Sequence, residues 1–264
     1  MPLIDPVLLK ARLGPLAGRF DVDALAECDS TSSELLRRAE RGAPSGTVIV
    51  ADRQLAGRGR RGRSWLSSAD GCLMFSVLWR SQRGLAGLGG LSLAVGVALV
   101  RALERLGASG VRLKWPNDVL LATAAGDAKL AGILIELAGG RREAQVCIGI
   151  GLNLQTPAGE FAQPVAGLAQ ALQVLPERHA LLATILGALL GVLDDFAECG
   201  FAAVKDEWQA RHAWQDRAVR LIEDGCAERS GICRGVADDG ALLLETATGC
   251  ERILAGDVSL RVNA

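Results

Sequence analysis

The sequence contains no tyrosine and only five tryptophans and five phenylalanines, so its core has to be built mainly from leucine, valine, isoleucine and alanine. Neither charge is in excess, because the formal net charge is −1. The lack of an overall basic field argues against a protein that holds nucleic acid along its surface. With 50% apolar and 22% charged residues among 264, the chain has a globular composition and the length for one large domain and a small one.

The seven cysteines are scattered, odd in number and without a C-x-x-C pair. This pattern argues against a disulfide framework or a zinc site and indicates a reducing compartment. We expect no signal peptide, because no basic segment and long apolar run open the chain. Glycine or charged residues interrupt the apolar stretches before about 18 residues, so we expect no membrane-spanning segment and a cytoplasmic location. The short N-terminal region also leaves, on this expectation, no room for a helix-turn-helix module.

Two familiar catalytic signatures are missing as well. The sequence has neither the P-loop spacing nor G-x-S-x-G. The two histidines, His179 and His212, lie in unrelated segments without a nearby nucleophile, which argues against a Ser-His-Asp hydrolase. No cluster of histidine, cysteine and aspartate has the spacing of metal ligands.

Hydrophobic periodicity predicts alternating strands and helices, followed by a change of texture near residue 218. Strands are predicted at residues 24–28, 47–52, 72–79, 111–114, 119–121, 129–137 and 143–154, the last three as an antiparallel meander with turns at 122–127 and 139–142. Helices are predicted at residues 6–13, 92–106, 177–196 and 201–208 and after a cap near residue 31. Five short strands at 219–222, 230–236, 241–244, 251–255 and 258–262 predict a small barrel-like β domain.

A stretch rich in arginine and glycine occupies residues 54–65, with the sequence QLAGRGRRGRSW. Because strands are predicted on both sides, we interpret it as a loop between two strands rather than as a low-complexity tail. Guanidinium groups match the oxygens of phosphate and carboxylate, and glycine lets a backbone approach a ligand closely. The two interpretations are a solvated basic loop and a loop that closes on a small anion and is mobile without it.

Polar residues at the start of a predicted helix are a second candidate. Thr31 and Glu34 fit a capping box, in which a hydroxyl and a carboxylate cap free N–H groups. The same N–H groups would suit a carboxylate or a polar head group. Capping alone and ligand binding are therefore both open at this point of the chain.

Three further polar features lie on the predicted sheet. Asn117 and Asp118 follow a proline at a bend, Lys129 opens a strand, and Gly149 and Gly151 indicate that some group approaches the strand backbone closely. Together with the arginines, these residues suit a reaction in which the substrates supply the reactive groups, such as activation of a carboxylate by ATP. In that reaction Lys129 would meet a developing oxyanion, and Asp118 would help to hold Mg²⁺.

The order of these motifs resembles that of the biotin protein ligases. The resemblance rests on DST at residues 29–31, QxAGRGRRGRxW at 54–65, KWPND at 114–118, KLAGIL at 129–134 and GIGxN at 149–153, and GALLL at 240–244 and GDVSLR at 256–261 look like that family's C-terminal domain. It implies an α+β fold: a central mixed, largely antiparallel sheet flanked by helices, with a small C-terminal SH3-like β-barrel domain. The implied domains are a catalytic unit at residues 1–215 and the β domain at 216–264.

The resemblance implies two reactions, the formation of biotinyl-5′-AMP from biotin and MgATP and the transfer of biotin to a lysine of the biotin carboxyl carrier protein. The biotin-binding residues would be Ser30, Thr31, Ser32, Gln54, Arg58, Gly59, Arg60 and Lys129, with Arg60 and Lys129 as the catalytic residues. The nucleotide would contact Arg60, Arg63, Trp65, Asn117, Asp118 and Asn153, with Asp118 as the candidate Mg²⁺ ligand. The implied partners include no nucleic acid and no membrane, and the chain would be a monomer or a homodimer.

Two departures from the family pattern are expected. No basic residue directly precedes Lys129 in the segment 122–128, and the N-terminal winged-helix domain of the repressor-type members is missing, so we expect no transcriptional role. Ser32 also stands where many relatives have asparagine. The rival interpretations are a lipoate or octanoyl transferase of similar fold and a nucleic-acid-binding protein that uses the arginine loop. The first is disfavoured by the combination of GRGRRGR and WPND, and the second predicts binding that depends steeply on salt.

Overall fold

The computed structural model describes residues 2–65, 68–139, 143–223, 228–254 and 258–262. Within these ranges helices and strands are mixed along the chain as far as α5, and five strands follow. The elements in chain order are α1 (Pro6–Leu13), β1 (Asp21–Cys28), α2 (Thr31–Glu40), β2 (Thr47–Gln54), β3 (Cys72–Ser81), α3 (Leu91–Arg105), β4 (Val111–Lys114), β5 (Asp118–Thr123), β6 (Gly126–Gly139), β7 (Ala144–Asn153), α4 (Arg178–Cys199), α5 (Lys205–Ala210), β8 (Ala218–Glu223), β9 (Arg229–Val236), β10 (Leu242–Thr246), β11 (Gly249–Ile253) and β12 (Val258–Val262).

The larger sheet has the strand order β1-β2-β3-β7-β6-β5-β4. Strands β1 and β2 are parallel because helix α2 connects them, and the other neighbouring pairs are antiparallel. The predicted mixed, largely antiparallel sheet and its meander are thus confirmed. The hairpin between β5 and β6 is tighter than predicted, because β5 continues to Thr123 and pairs there with Gly126. The predicted turn before β7 falls mostly on residues 140–142, which lie outside the described residues.

Helices cover both faces of this sheet, because successive side chains of β2 point to opposite faces and are apolar on both. Val48 and Val50 point into the main core under α1, α3 and α4, whereas Ile49 joins a smaller cluster with Leu35 and Cys147 under α2. A strand buried on both faces has to be apolar along its whole length. The predicted arrangement of a sheet flanked by helices is confirmed.

Helix α4 is the one described helix whose length and composition would suffice to cross a membrane. The helical span runs from Arg178 to Ala203, and 56% of its apolar 18-residue stretch is buried inside the structure. The helix packs against α1 and α3, and Leu182, Ile185 and Leu186 are buried there. It therefore forms part of the core of the large domain.

The C-terminal strands form a second, antiparallel sheet in the order β11-β10-β9-β8-β12. This confirms a small β domain, although among the described residues its edge strands β11 and β12 do not pair with each other to close a barrel. The small sheet approaches the large one near β4, where the indole N–H of Trp115 donates to the carbonyl of Gly240, just before β10, at 3.1 Å. Beside this contact the N–H of Leu113 donates to the carbonyl of Arg211, in the segment after α5, at 2.9 Å. The boundary between residues 215 and 216 stays a prediction.

Candidate active site

A cavity of about 240 Å³ lies on the α2 side of the large sheet, over β6 and β7. It is lined by the predicted site residues other than Asp118, namely Ser30, Thr31, Ser32, Gln54, Arg58, Gly59, Arg60, Arg63, Trp65, Asn117, Lys129 and Asn153. Residues that are as many as 123 positions apart in sequence thus meet because β2, β3, β7 and β6 are neighbours in the sheet.

One end of the cavity is a cluster of buried hydroxyl groups. The Oγ1 of Thr31 lies 2.8 Å from the Oγ of Ser76, and the Oγ of Ser32 lies 3.0 Å from the same atom. The predicted capping box is wrong, because the N-cap is Ser30, which makes no side-chain capping bond. Glu34 instead pairs with arginines one turn further along α2. The hydroxyls at the start of α2 are therefore directed to the cavity and to β3.

Gln54 is held in a fixed orientation at the end of β2. Its Oε1 accepts hydrogen bonds from the backbone N–H and the hydroxyl of Thr31, at 2.8 and 3.2 Å. Its Nε2 donates to the sulfur of Met74 at 3.3 Å. Since the carbonyl oxygen is committed to Thr31, the side chain presents its amide group as a donor.

The floor of the cavity is made of glycines on β6 and β7. Gly132 pairs with Gly151 in the ladder, and the Trp65 ring rests on both. A Cβ at Gly151 would lie 2.5 Å from the ring, and one at Gly132 would lie 3.1 Å from it. The predicted close approach to the strand backbone is thus present, and at Gly151 the approaching group is this protein's own indole. At Gly149 it is the hydroxyl of Ser32, 2.6 Å from a Cβ built there.

The arginine and glycine stretch folds into a small hairpin over the cavity. The N–H of Gly59 donates to the carbonyl of Arg63 at 2.7 Å, and a tight turn lies between them, with Arg61 at φ 61° and Gly62 at φ 66°. Arg58 pairs with Glu136 on β6 at 2.6 Å. Residues 57–62 also match the letters G-x-G-x-x-G. A dinucleotide fingerprint is nevertheless excluded, because the segment connects two strands and opens no helix.

Asp118 and its two lysine partners form a buried ionic cluster beside the cavity. The Nζ of Lys129 lies 2.6 Å from one oxygen of Asp118, and the Nζ of Lys114 lies 3.2 Å from the other. Burial alone would raise the pKa of Asp118, but the two ammonium groups outweigh it and lower the pKa below its usual range. Burial lowers the pKa of Lys114 to about 8, because Asp118 compensates only part of the lost hydration.

This arrangement does not fit the predicted Mg²⁺ ligand. Both oxygens of Asp118 are occupied by ammonium groups, and a divalent cation in their place would meet two positive charges at close range. Within the described ranges, no group of three or more histidine, cysteine, aspartate or glutamate side chains could hold a metal. Asp118 therefore positions the two lysines, and Lys129 is the member of the cluster that reaches the cavity.

The two asparagines of the predicted site hold backbone around the cavity. The Nδ2 of Asn117 donates to the carbonyl of Ile133 at 2.8 Å, which fixes β6 beside the bend. The Nδ2 of Asn153 donates to the carbonyl of Ala166 at 3.1 Å. Both side chains line the cavity, but their N–H groups are hydrogen-bonded to backbone carbonyls of its walls.

Three residues were given no role from the sequence. Arg261, on β12 of the small sheet, lines the cavity, and burial followed by the neighbouring Arg63 lowers its pKa. Lys114 contacts Gln163 at 3.0 Å and lies 5.0 Å from the centre of the Trp214 ring, and Ser76 completes the hydroxyl cluster. Lys114 and Arg261 stand within the motifs KWPND and GDVSLR, which was the signal for them in the sequence.

Comparisons with known proteins agree along the chain. A model described as the biotin/lipoate A/B protein ligase family matches residues 25–153. A second model, described as the biotin protein ligase C terminal domain, matches residues 216–261.

Individual relatives cover nearly the whole chain. It is 38% identical to the bifunctional ligase/repressor BirA of Escherichia coli, with 98% of this chain and 80% of that protein covered. It is 36% identical to the biotin–[acetyl-CoA-carboxylase] ligase of Paracoccus denitrificans, with 89% and 98% covered. Among solved structures, the biotin protein ligase of Aquifex aeolicus in complex with biotin and ATP is similar, with a TM-score of 0.79, 31% identity and 92% and 99% coverage.

Proposed function

The chain belongs to the biotin protein ligase family, and we propose that it is an ATP-dependent biotin–[acetyl-CoA-carboxylase] ligase. In the first step a carboxylate oxygen of biotin attacks the α-phosphorus of ATP, the bond to the bridging oxygen breaks, and pyrophosphate leaves. In the second step the neutral amine of a carrier-protein lysine attacks the carbonyl carbon of biotinyl-5′-AMP. The bond to the phosphate oxygen breaks, AMP leaves, and the nitrogen loses a proton.

The observation that carries this proposal is the charge of the cavity wall. Five cationic side chains line it, and no carboxylate among the described residues does; the cations are Arg58, Arg60, Arg63, Lys129 and Arg261. Such a wall favours a ligand with several negative charges, and the favourable charge is already in place when the transition state forms. The hydroxyl and amide groups at the other end suit an uncharged polar ring system. An acyl-adenylate combines these two parts.

We propose a role for each group that is consistent with its position in the cavity. Ser30, Thr31, Ser32 and Gln54 would bind the polar ring of biotin, while Arg58 and Gly59 would hold its carboxyl end. We propose Arg60 and Lys129 as the catalytic residues, which bind the oxygens that gain charge at the α-phosphorus and the carbonyl. Their positive charge also stabilises the phosphate that leaves in the second step.

The nucleotide would occupy the end of the cavity near the loop and β7. Arg63 and Trp65 would contact the phosphates and the adenine, with Asn117 and Asn153 shaping the wall beside them. We propose Mg²⁺ as the counter-ion of ATP, and no step uses a metal held by Asp118, which does not fit one. Lys129 would be kept in place by its bond to Asp118.

The remaining assignments are also proposals. The carrier would be the biotin carboxyl carrier protein, which is consistent with relatives named biotin–[acetyl-CoA-carboxylase] ligase. We propose residues 1–215 as the catalytic unit and residues 216–264 as a β unit that supplies Arg261. A cytoplasmic location, a monomeric or homodimeric state and the lack of a nucleic-acid partner stay predictions.

Exchange of pyrophosphate into ATP tests the first step and the choice of acid. We expect exchange that depends on biotin, and little exchange when lipoate or octanoate replaces it. Exchange with lipoate alone would assign the chain to the rival class of acyl ligase. Salt-dependent DNA or RNA binding without any exchange would instead favour the nucleic-acid interpretation of the arginine loop.

A further inference from the structure

Two loops form the mouth of the cavity. The first contains residues 58–65 and the second contains residues 157–165, and side chains from both line the cavity. The second loop is tied at its far end to Lys129, since the N–H of Lys129 donates to Pro164 at 2.8 Å and the N–H of Ala166 donates back to Lys129 at 2.9 Å. The distance between the two loops therefore sets how far the cavity opens.

One short backbone segment, residues 69–72, adjoins both loops. The first loop returns to the sheet through it and enters β3 at Cys72. The second loop leaves β7 beside it, and the N–H groups of Leu154 and Gln155 donate to the carbonyl of Gly71 at 2.8 and 3.1 Å. A shift of this segment would therefore act on the second loop through these two hydrogen bonds, and on the first loop through the continuity of the chain.

The guanidinium group of Arg178 holds the other carbonyls of the segment. Its Nη1 donates to Cys72 at 3.1 Å, and its Nη2 donates to Ala69 at 3.0 Å and to Asp70 at 2.9 Å. Four consecutive carbonyls are thus bound, three by one cation and one by the second loop. Hydrogen bonds from a charged donor are about twice as strong as those between neutral groups.

Arg178 is anchored on a rigid support and lies outside the cavity wall. It is the first residue of α4, and Leu181 and Leu182, just after it, are 1% and 0% exposed in the core. Neither Arg178 nor residues 69–72 line the cavity. Any effect of Arg178 on the reaction is therefore indirect.

We propose that Arg178 is a positioning residue that fixes the two mouth loops relative to each other and so retains the acyl-adenylate between the two half-reactions. The identity of the retained ligand rests on the proposed function, whereas the positioning of the loops by Arg178 does not. The planar guanidinium fits this task because its donors stand on two separate nitrogens, Nη1 at Cys72 and Nη2 at Ala69 and Asp70. A lysine would have to reach all three carbonyls from a single nitrogen. Release of the intermediate, rather than its formation, is the step that Arg178 controls.

Arg83, which follows β3, provides a matched control because it binds carbonyls at the C-terminal end of α4. Its guanidinium donates to the carbonyls of Ala197 and Glu198 at 3.0 and 2.8 Å, so it makes the same kind of bond far from the cavity. Comparing Arg178→Gln and Arg178→Lys with Arg83→Gln separates an effect on the mouth from a general loss of helix anchoring.

The first measurement is the leak of biotinyl-adenylate when no carrier is present, followed as hydrolysis to AMP, beside the rate of pyrophosphate exchange. We expect Arg178→Gln to raise the leak about tenfold, since hydrogen bonds to a charged group are lost, and to change exchange less than about twofold. Arg178→Lys should leak to an intermediate extent, and Arg83→Gln should leak like the wild type. An unchanged leak in Arg178→Gln, or an equal rise in Arg83→Gln, would overturn the proposal.

The second measurement needs no substrate. The rate of tryptic cleavage at residues 58–63 reports the loop in the free protein, and we expect it to rise in Arg178→Gln and not in Arg83→Gln. Equal cleavage in both variants refutes the positioning role even if the chain proves to activate a different acid. If the wild type shows no biotin-dependent exchange but Arg178→Gln is still cleaved faster than Arg83→Gln, the proposed ligand is rejected and the positioning role of Arg178 stands.

Discussion

Replacing Asp118 by asparagine removes a charge that two lysines share. The carboxylate is 8% exposed and lies 2.6 Å from Lys129 and 3.2 Å from Lys114. Breaking a buried pair by removing one partner costs about 3–5 kcal/mol. For a chain of this size, 1 kcal/mol shifts Tm by roughly 2–4 °C, so we expect a decrease of roughly 6–20 °C near neutral pH.

The pH dependence of this loss identifies its source. Burial already lowers the pKa of Lys114 to about 8 in the wild type, and without the carboxylate it falls further. The unfolded chain then binds a proton that the folded variant lacks, so the stability of the variant rises with pH by about 1.4 kcal/mol per unit. In the wild type the corresponding rise in stability starts only near pH 8, where Lys114 begins to lose its proton in the folded state. The deficit of the variant should therefore be largest near pH 6 and shrink toward pH 8.

The assay is thermal unfolding of both proteins across this pH range, with pyrophosphate exchange measured on the same samples. We expect exchange to fall together with stability, because Lys129 loses the group that positions it. Asp127→Asn is the control, since Asp127 pairs with the exposed Arg112 at 3.4 Å, and such pairs contribute about 0–1 kcal/mol. A stable Asp118→Asn protein with normal exchange, or a deficit that does not vary with pH, would refute the reasoning.

The other expected outcomes concern Lys129, the glycine floor of the cavity and His212. Lys129→Ala should keep the fold, because Lys114 still pairs with the buried carboxylate, but lower the exchange rate by about 10²–10³; exchange near the wild-type rate would argue against its role. Gly151→Ala should raise the KM for ATP, because the new methyl would lie 2.5 Å from the Trp65 ring and such overpacking costs about 1–3 kcal/mol. The control Gly191→Ala, with nothing within 4 Å, should leave KM unchanged and stabilise α4 by about 0.5–1 kcal/mol. Burial lowers the pKa of His212 to about 4 from 6.5, so the wild type should lose stability in urea as pH falls through this window, and His212→Phe should remove that dependence.

Most strands could be predicted because their apolar pattern is local. The unbroken apolar run of Val48, Ile49 and Val50 already indicates a strand that is buried on both faces. In the structure, Val48 and Val50 lie in one hydrophobic cluster and Ile49 lies in the other. The end of a strand is less predictable, since it depends on its partner. Strand β5 continues to Thr123 only because Gly126 pairs with it.

The partners of polar groups could not be read from the sequence. Thr31 and Glu34 have the spacing of a capping box, but Ser76 on β3 takes the hydroxyl and neighbouring arginines take the carboxylate. Asp118 looked like a metal ligand because nothing local showed that Lys114 and Lys129 would occupy both its oxygens. These contacts join different strands and are fixed only by the fold.

The motifs predicted most of the polar residues that line the cavity. They did not predict the residues from other parts of the chain that complete the wall or hold its loops. The motif residues converge because they stand at the ends and faces of neighbouring strands. Arg261 comes from the second sheet and depends on how the two sheets meet, and Arg178 acts on backbone carbonyls that carry no sequence signal. A glycine pattern such as Gly149 and Gly151 predicts a close approach but does not name the group that approaches.

The most direct measurement of the central claim is the intact mass of a biotin carrier domain after incubation with this protein, biotin and MgATP. We expect the carrier to gain the mass of one biotinyl group on a single lysine. The gain should require both biotin and ATP, and the Arg60→Ala and Lys129→Ala proteins should produce far less of it. A carrier of unchanged mass beside a wild-type protein that is folded and binds biotin would contradict the account.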